Sequence, residues 1–410
     1  MFGEKANLIP RYNWDYGLPE VIRGIWASFS AKAPHFGAFG KVFKSEPVLT
    51  TSGRSALFSI LRALKIPEGS SIGVPLFCCP VVFDAIRQAG YRVKFIDVEL
   101  DDYNLSSSDL ARKKENLKGL VVVHMFGHPA DMKAIKAICP DIPLIEDCAQ
   151  SLFSKWNGRY TGFEGTASFF SFRTGKYISV GEGAAIICNG DELREEIKRI
   201  ANEFEEWEIY RDILNCLAIF GKSFFYKRPW YGFIGYSLGK RMDRKFNLTA
   251  KSGFQLKRMS RSNSYLINER LPVYSEKIGK QRQNALYFLK RIRQNGIYLP
   301  MEKEGYMSNY YQFAIRFDNR PQREAAAEYL FKNGIDSAKY LDEVVNIARA
   351  EYGYAGDCPN SETCSSTVLV VPNYYSLSNK DLKKIVKVVN EAVLLYNCEG
   401  VDYGLSAKIS

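Results

Sequence analysis

Lys176 closes the segment Ser171-Phe172-Arg173-Thr174-Gly175-Lys176, just after the apolar run ASFFSF. A lysine desolvated in such a setting loses proton affinity and becomes a nucleophile toward carbonyl carbon. An ordinary exposed lysine is the plainer alternative. Asp147 ends another apolar run, PLIED, where a carboxylate either meets a ligand or caps the next helix. Thr51-Ser52-Gly53-Arg54-Ser55 sets small hydroxyl residues and a glycine ahead of a helical pattern. Backbone N–H groups and Ser55 could hold a phosphate there, and a simple helix cap would use the same residues. Gly181-Glu182-Gly183 permits a tight turn or close packing under a bound ring. With only three histidines (His35, His124, His128), a multi-histidine metal centre has little to build on, so no metal is expected. Acid–base work then falls to Lys, Asp, Glu or Tyr. The nine cysteines show no paired spacing, which predicts neither a zinc site nor a disulfide framework and fits a reducing compartment.

These residues need a scaffold, and the pattern around them alternates. Helical spacing over Ser55–Leu64, Val81–Gly90 and Asp131–Ile138 interleaves with short apolar runs at Val93–Val98, Gly119–His124, Pro143–Asp147, Ala167–Phe172 and Ala184–Cys188. Such alternation predicts an α/β domain around a mostly parallel sheet, with ligands beyond the carboxyl ends of its strands. Downstream, Arg270–Ile297 reads as a long helix after Pro272, and Tyr310–Arg316 and Val368–Val371 read as strands. Arg323–Lys332 and Asn379–Leu395 read as helices, the latter capped by Ser378. The predicted organisation is an N-terminal segment (1–47), a large domain (48–205), a basic aromatic insertion (206–260) and a smaller C-terminal α+β domain (261–410).

In order and spacing these features resemble the DegT/DnrJ/EryC1/StrS aminotransferases. The stretch from Val122-Val123-His124-Met125-Phe126-Gly127-His128-Pro129-Ala130-Asp131-Met132 through IEDCAQS to SFRTGKYISVGEGA carries the likeness. The resemblance implies the pyridoxal-phosphate-dependent transferase fold type I and pyridoxal 5'-phosphate (PLP) as cofactor. It implies that Lys176 binds PLP covalently and shuttles protons, and that Asp147 pairs with the pyridine nitrogen. Gln150 matches a residue near the ring's phenolic oxygen. Gly53, Arg54 and Ser55 match the phosphate turn, and Ser171 a second phosphate-binding hydroxyl. The aromatic residue that stacks on the ring falls at Cys79, with Phe77 as a substitute. The implied activity moves an amino group from glutamate to a keto sugar, nucleotide- or lipid-linked, in polysaccharide or antibiotic-sugar biosynthesis. The implied assembly is a homodimer.

The chain also departs from the family. Arg54 stands where Thr is usual. The Gly-x-Asn-x-Arg-Met segment that reaches a neighbouring subunit appears as Gly253-Phe254-Gln255-Leu256-Lys257-Arg258-Met259, with Gln255 the nearest stand-in for the Asn. A substrate-side histidine is missing near Ala338-Lys339-Tyr340, and no likeness is visible before residue 48. A sugar-dehydrating branch places His at the lysine position, which Lys176 disfavours. From another class, a non-catalytic or regulatory PLP-binding member at a membrane stays open.

The net charge of +11 raises the question of an anionic partner. Between Lys222 and Arg261 there are eleven Lys/Arg and one acid, Asp243, interleaved with aromatics, so this stretch holds nearly the whole imbalance. Packing at a subunit interface and seating on an anionic membrane surface are the two leading readings. Nucleic acid is a weaker third, because no other motif supports it. No apolar stretch reaches the roughly 18 residues of a span, and no secretory signal is read, so a cytoplasmic protein is expected. A peripheral place at the inner face of the membrane is the reading the insertion opens.

Overall fold

The computed structural model describes residues 6–30, 37–241, 254 and 256–397. Gly253 and Gln255 of the expected subunit-crossing segment lie outside them, as do His35, Cys398 and residues 242–252 of the insertion.

The elements up to residue 202 are α1 (Leu18–Ser28), α2 (Gly37–Phe43), β1 (Val48–Thr50), α3 (Gly53–Ala63), β2 (Ser71–Pro75), α4 (Pro80–Gln88) and β3 (Arg92–Ile96). There follow α5 (Ser107–Lys113), β4 (Leu117–Val123), α6 (Met132–Ile138), β5 (Leu144–Asp147), β6 (Ala167–Ser171), β7 (Ala184–Cys188) and α7 (Asp191–Asn202). The seven strands form one sheet in the order β1-β7-β6-β5-β4-β2-β3. Only β7 runs against its neighbours. The strands are β-branched and apolar because helices cover both faces of such a sheet. Register aligns Val123 with Asp147 and Asp147 with Phe169, so the polar residues that follow β4, β5 and β6 emerge together at one sheet edge.

Beyond the sheet come α8 (Ile209–Phe225), α9 (Arg261–Arg291), β8 (Phe313–Phe317), α10 (Arg320–Lys332), α11 (Val344–Tyr352), α12 (Pro359–Thr367), β9 (Val368–Val371) and α13 (Asn379–Asn397). A short strand, Ile297–Tyr298, pairs antiparallel with β8, and β8 pairs with β9. The architecture is the expected α/β one.

Three local readings shift. The long helix starts at Arg261, where Ser260 accepts the Asn263 N–H at 3.2 Å, and runs straight through Pro272. Burial outweighs the lost backbone bond: Leu266, Ile267, Leu271 and Tyr274 pack in one core with α1, α2 and β7, while Ala285 and Phe288 join the β8–β9 core. Strand β8 begins at Phe313 rather than Tyr310, because Tyr310 takes a left-handed turn (φ 48°). Gly181 and Gly183 pack on helices rather than under a ring. A Cβ on Gly181 would lie 2.3 Å from Ile219, and one on Gly183 3.1 Å from Met259.

The insertion folds back on its own chain. Helix α8 crosses α1 at Gly24, where a Cβ would lie 2.9 Å from Cys216 Sγ, and Ser28 Oγ donates to Asp212 at 3.0 Å. Tyr226 stacks on Trp14 with centroids 4.1 Å apart, and Arg228 makes a two-pronged bond to Asp381 at 2.9 and 2.7 Å. The eight described cysteines are free.

Candidate active site

Lys176 sits in the loop after β6, 4.9 Å above the Tyr311 ring, with no carboxylate partner among the described residues. Burial pushes its ammonium down to about 8, against the pull of the Asp147 carboxylate. Near neutral pH such an amine keeps a useful neutral fraction, which an ordinary lysine lacks. Tyr311 fixes the loop by donating to the Gly175 carbonyl at 2.5 Å.

Asp147 is buried at the end of β5, where the Ala149 N–H donates to Oδ1 at 2.9 Å. Burial raises its carboxyl above the usual range, against the Ala149 bond and the Lys176 charge. A carboxylate in that state gains from any cation brought to it.

The neighbouring Glu146 holds the framework instead. Its oxygens accept N–H bonds from Gly162 (2.8 Å), Glu164 (2.8 Å) and Gly165 (2.5 Å), and a fourth bond from His124 Nε2 (3.0 Å). His124 Nδ1 accepts from the Ala130 N–H at 2.9 Å, which assigns the proton to Nε2. His124, Glu146 and Cys148 lie within 4.8 Å of one another, but the histidine and carboxylate atoms are already spent on these bonds. Glu146→Ala would orphan three backbone donors and the imidazole. We expect a stability loss of about 3–5 kcal/mol in denaturant unfolding. A loss under about 1 kcal/mol would contradict this account.

At the phosphate turn, Ser52 caps α3. Its Oγ accepts the Ser55 N–H at 3.2 Å, while the buried Ser55 hydroxyl donates to the Ser52 carbonyl at 2.8 Å. The Ser55 hydroxyl is therefore committed to the turn. Gly53 lets the turn approach β6: a Cβ there would lie 3.3 Å from the Phe169 ring and 3.6 Å from Ser171. Arg54 meets the Phe254 ring at 5.3 Å and no carboxylate among the described residues. Burial and the nearby Arg173 charge both disfavour its cation. Two cations beside a helix N-terminus are a setting for an anion.

Gln150 is fully used. Its Oε1 accepts the Phe126 N–H at 3.1 Å, which holds Phe126 in the left-handed region (φ 53°), and its Nε2 donates to the Tyr340 hydroxyl at 3.1 Å. Cys79 is the half-exposed residue ahead of α4, whereas Phe77 is wholly buried against Tyr103 and Phe126. Phe77 therefore offers no ring face to a ligand.

Tyr12, Lys176, Tyr311, Gln312 and Asn373 line one cavity. Reading the sequence missed Tyr12, Tyr311, Tyr340 and Asn373; the aromatic pair in NYYQF was the one local hint. Tyr340 occupies the stretch where the family's histidine was sought. Asn373 Nδ2 donates to the Tyr310 carbonyl at 2.9 Å, which leaves its buried Oδ1 without a partner.

The sequence profile of the DegT/DnrJ/EryC1/StrS aminotransferase family matches residues 34–390. The likeness thus begins upstream of residue 48. GDP-perosamine synthase of Escherichia coli O157:H7 is 26% identical over 381 residues, 91% of this chain and 93% of that one. A pleiotropic regulatory protein of Geobacillus stearothermophilus is 23% identical over 350 residues, 83% of each chain. Among solved structures, the PLP form of a putative sugar aminotransferase from Streptococcus pneumoniae superposes with a TM-score of 0.77 at 15% identity, covering 95% of this chain and 99% of that one.

The residues present fit PLP. A carbonyl-reactive amine, a buried carboxylate short of a cation, and a cationic helix N-terminus answer its aldehyde, its ring nitrogen and its phosphate in turn. The chain belongs to the DegT/DnrJ/EryC1/StrS aminotransferase family and is a PLP-dependent transaminase.

Proposed function

We propose that the chain moves an amino group from glutamate to a keto group on a nucleotide- or lipid-linked sugar. One observation carries the reading: Lys176 opens onto a cavity walled by tyrosine hydroxyls and side-chain amides, groups suited to a polyhydroxylated substrate. The name of the Escherichia coli relative, a GDP-sugar synthase, supports it.

When bound, PLP supplies an electrophilic carbon and an electron-withdrawing ring. Lys176 would hold the cofactor through its amine and, once that amine is free, would carry a proton to and from the substrate carbon. Asp147 would hold the proton at the ring nitrogen. Arg54, Gly53 and the start of α3 would bind the phosphate, with Ser171 beside them. Ser55 shapes that turn, Cys79 would stand beside the ring, and Gln150 ties the loop after Asp147 to Phe126 and Tyr340. The wider partners of this reading are a second copy of the chain and an anionic membrane surface, in a reducing cytoplasm.

The test is optical. Purified protein with PLP should be yellow and bleach with glutamate, and a keto-sugar nucleotide should restore the colour. Colour without bleaching by any amino donor would leave a non-catalytic binding protein instead.

Asn373→Leu removes the unpaired acceptor in the cavity wall. The acceptor KM should rise roughly tenfold while bleaching by glutamate is unchanged. An unchanged acceptor KM would remove Asn373 from the substrate wall.

A further inference from the structure

One face of the molecule is apolar and has no cover from the described chain. On α1, Leu18, Ile22, Trp26 and Phe29 recur at helical spacing and stand 58–66% exposed. On α8, Tyr210, Leu214, Leu217 and Phe224 form a second stripe, 42–57% exposed. Trp230 and Ile234 extend it. The two helices are locked side by side through Gly24, Cys216, Ser28 and Asp212, so their outer stripes make one surface. A patch this large is rare on a protein that works alone in water.

From residue 209 onward its charge is one-sided, with Glu205, Glu206 and Glu208 exposed just ahead of α8. Between residues 209 and 241 the only acid is Asp212, which is buried and bonded to Ser28 and Ser262. On α1 the only acid is Glu20, whose carboxylate takes the Gly17 N–H at 2.7 Å. Lys222 on α8 and Lys227 just after it have no carboxylate partner among the described residues. A second copy docked with these lysines near the two-fold axis would set cation against cation. An anionic bilayer accepts both parts of the surface: tryptophan and phenylalanine at headgroup depth, lysine and arginine against lipid phosphate. No helix among the described residues is long and apolar enough to cross a membrane, so α1 and α8 would lie in its plane.

We infer that the α1–α8 face seats the enzyme peripherally on an anionic lipid surface. The seat is tied to the cavity that holds Lys176. Arg11, Tyr12, Asn13 and Asp15 line that cavity shortly before α1, Trp14 stacks on Tyr226, and the Ser223 hydroxyl donates to the Trp14 carbonyl at 2.5 Å. The inference does not depend on the identity of the sugar.

Vesicle flotation of the full-length, PLP-loaded protein tests it. Protein should float with vesicles of phosphatidylglycerol and phosphatidylcholine at low salt, and stay behind with phosphatidylcholine alone. The Lys222→Ala, Lys227→Ala variant should bind roughly thirtyfold more weakly. Trp26→Ser with Leu214→Ser should release the protein, with cofactor colour and circular dichroism confirming that both variants fold. Equal absence of wild-type binding to both vesicles would overturn the inference. So would a wild-type dimer in light scattering that Trp26→Ser with Leu214→Ser splits, since a second copy would then own the face.

Discussion

Lys176→Ala protein is expected to stay colourless with added PLP and to lose turnover by roughly 10²–10⁴-fold or more. Among the described residues, Lys176 is the amine placed over Tyr311 in the cavity, and the substitution removes the proposed covalent hold on the cofactor and the proposed proton carrier. The pH profile separates this role from that of a passive lysine. Only the neutral amine attacks a carbonyl, and burial sets the Lys176 ammonium at about 8. Cofactor uptake by cofactor-free protein should therefore rise with pH through about 8 and level off above it. A rise that continues past pH 10 would mean an exposed lysine of ordinary basicity and would sink the assignment.

Asp147→Asn should cost about 10²–10³-fold in turnover while leaving the fold intact. The amide can still accept the Ala149 N–H, so the backbone beyond β5 keeps its anchor. What it cannot do is hold a positive charge on the ring nitrogen. The stability sign runs the other way from the activity. Burial raises the Asp147 carboxyl above its ordinary value, so the folded, cofactor-free protein binds more protons than the unfolded chain just above that value. Its stability therefore falls as pH rises through that window, and the neutral amide removes the penalty. At pH 7 the cofactor-free variant should be at least as stable as the parent in a thermal melt. A variant that melts earlier yet turns over normally would place Asp147 among the structural residues and leave the ring without its partner.

These two expectations also show why Glu146 and Asp147, adjacent in one strand, do different work. Alternation along β5 sends them to opposite faces of the sheet. Glu146 meets three backbone donors and an imidazole, and its carboxyl is held down despite burial, which opposes this. Asp147 meets one backbone donor and feels the Lys176 charge. Nothing in the letters Glu-Asp assigns those roles; the turn at 162–165 does.

Much of the candidate site was legible in the sequence. Lys176, Asp147 and Gly53 lie at ends of short elements whose apolar pattern is local, and their order along the chain carried the family resemblance. Strand register then brings such ends to one edge, because parallel strands joined by helices must present their carboxyl ends together.

The walls around that core were not legible. Gln150 reaches Tyr340 across 190 residues of chain, and Gln312 reaches Tyr12 across 300. Such contacts leave no periodic trace. Pro272 misled in the same way: a local rule stops a helix there, yet burial on both sides carries α9 through. The excess of charge between Lys222 and Arg261 could be counted from composition. That it borders an apolar face built from α1 and α8 could not, because those helices come from separate parts of the chain. Local chemistry and its order belong to the sequence alone. Which distant groups close the cavity, which acid is left short of a cation, and which apolar stripes become one surface are decided by tertiary packing, where burial and pairing outweigh local preference.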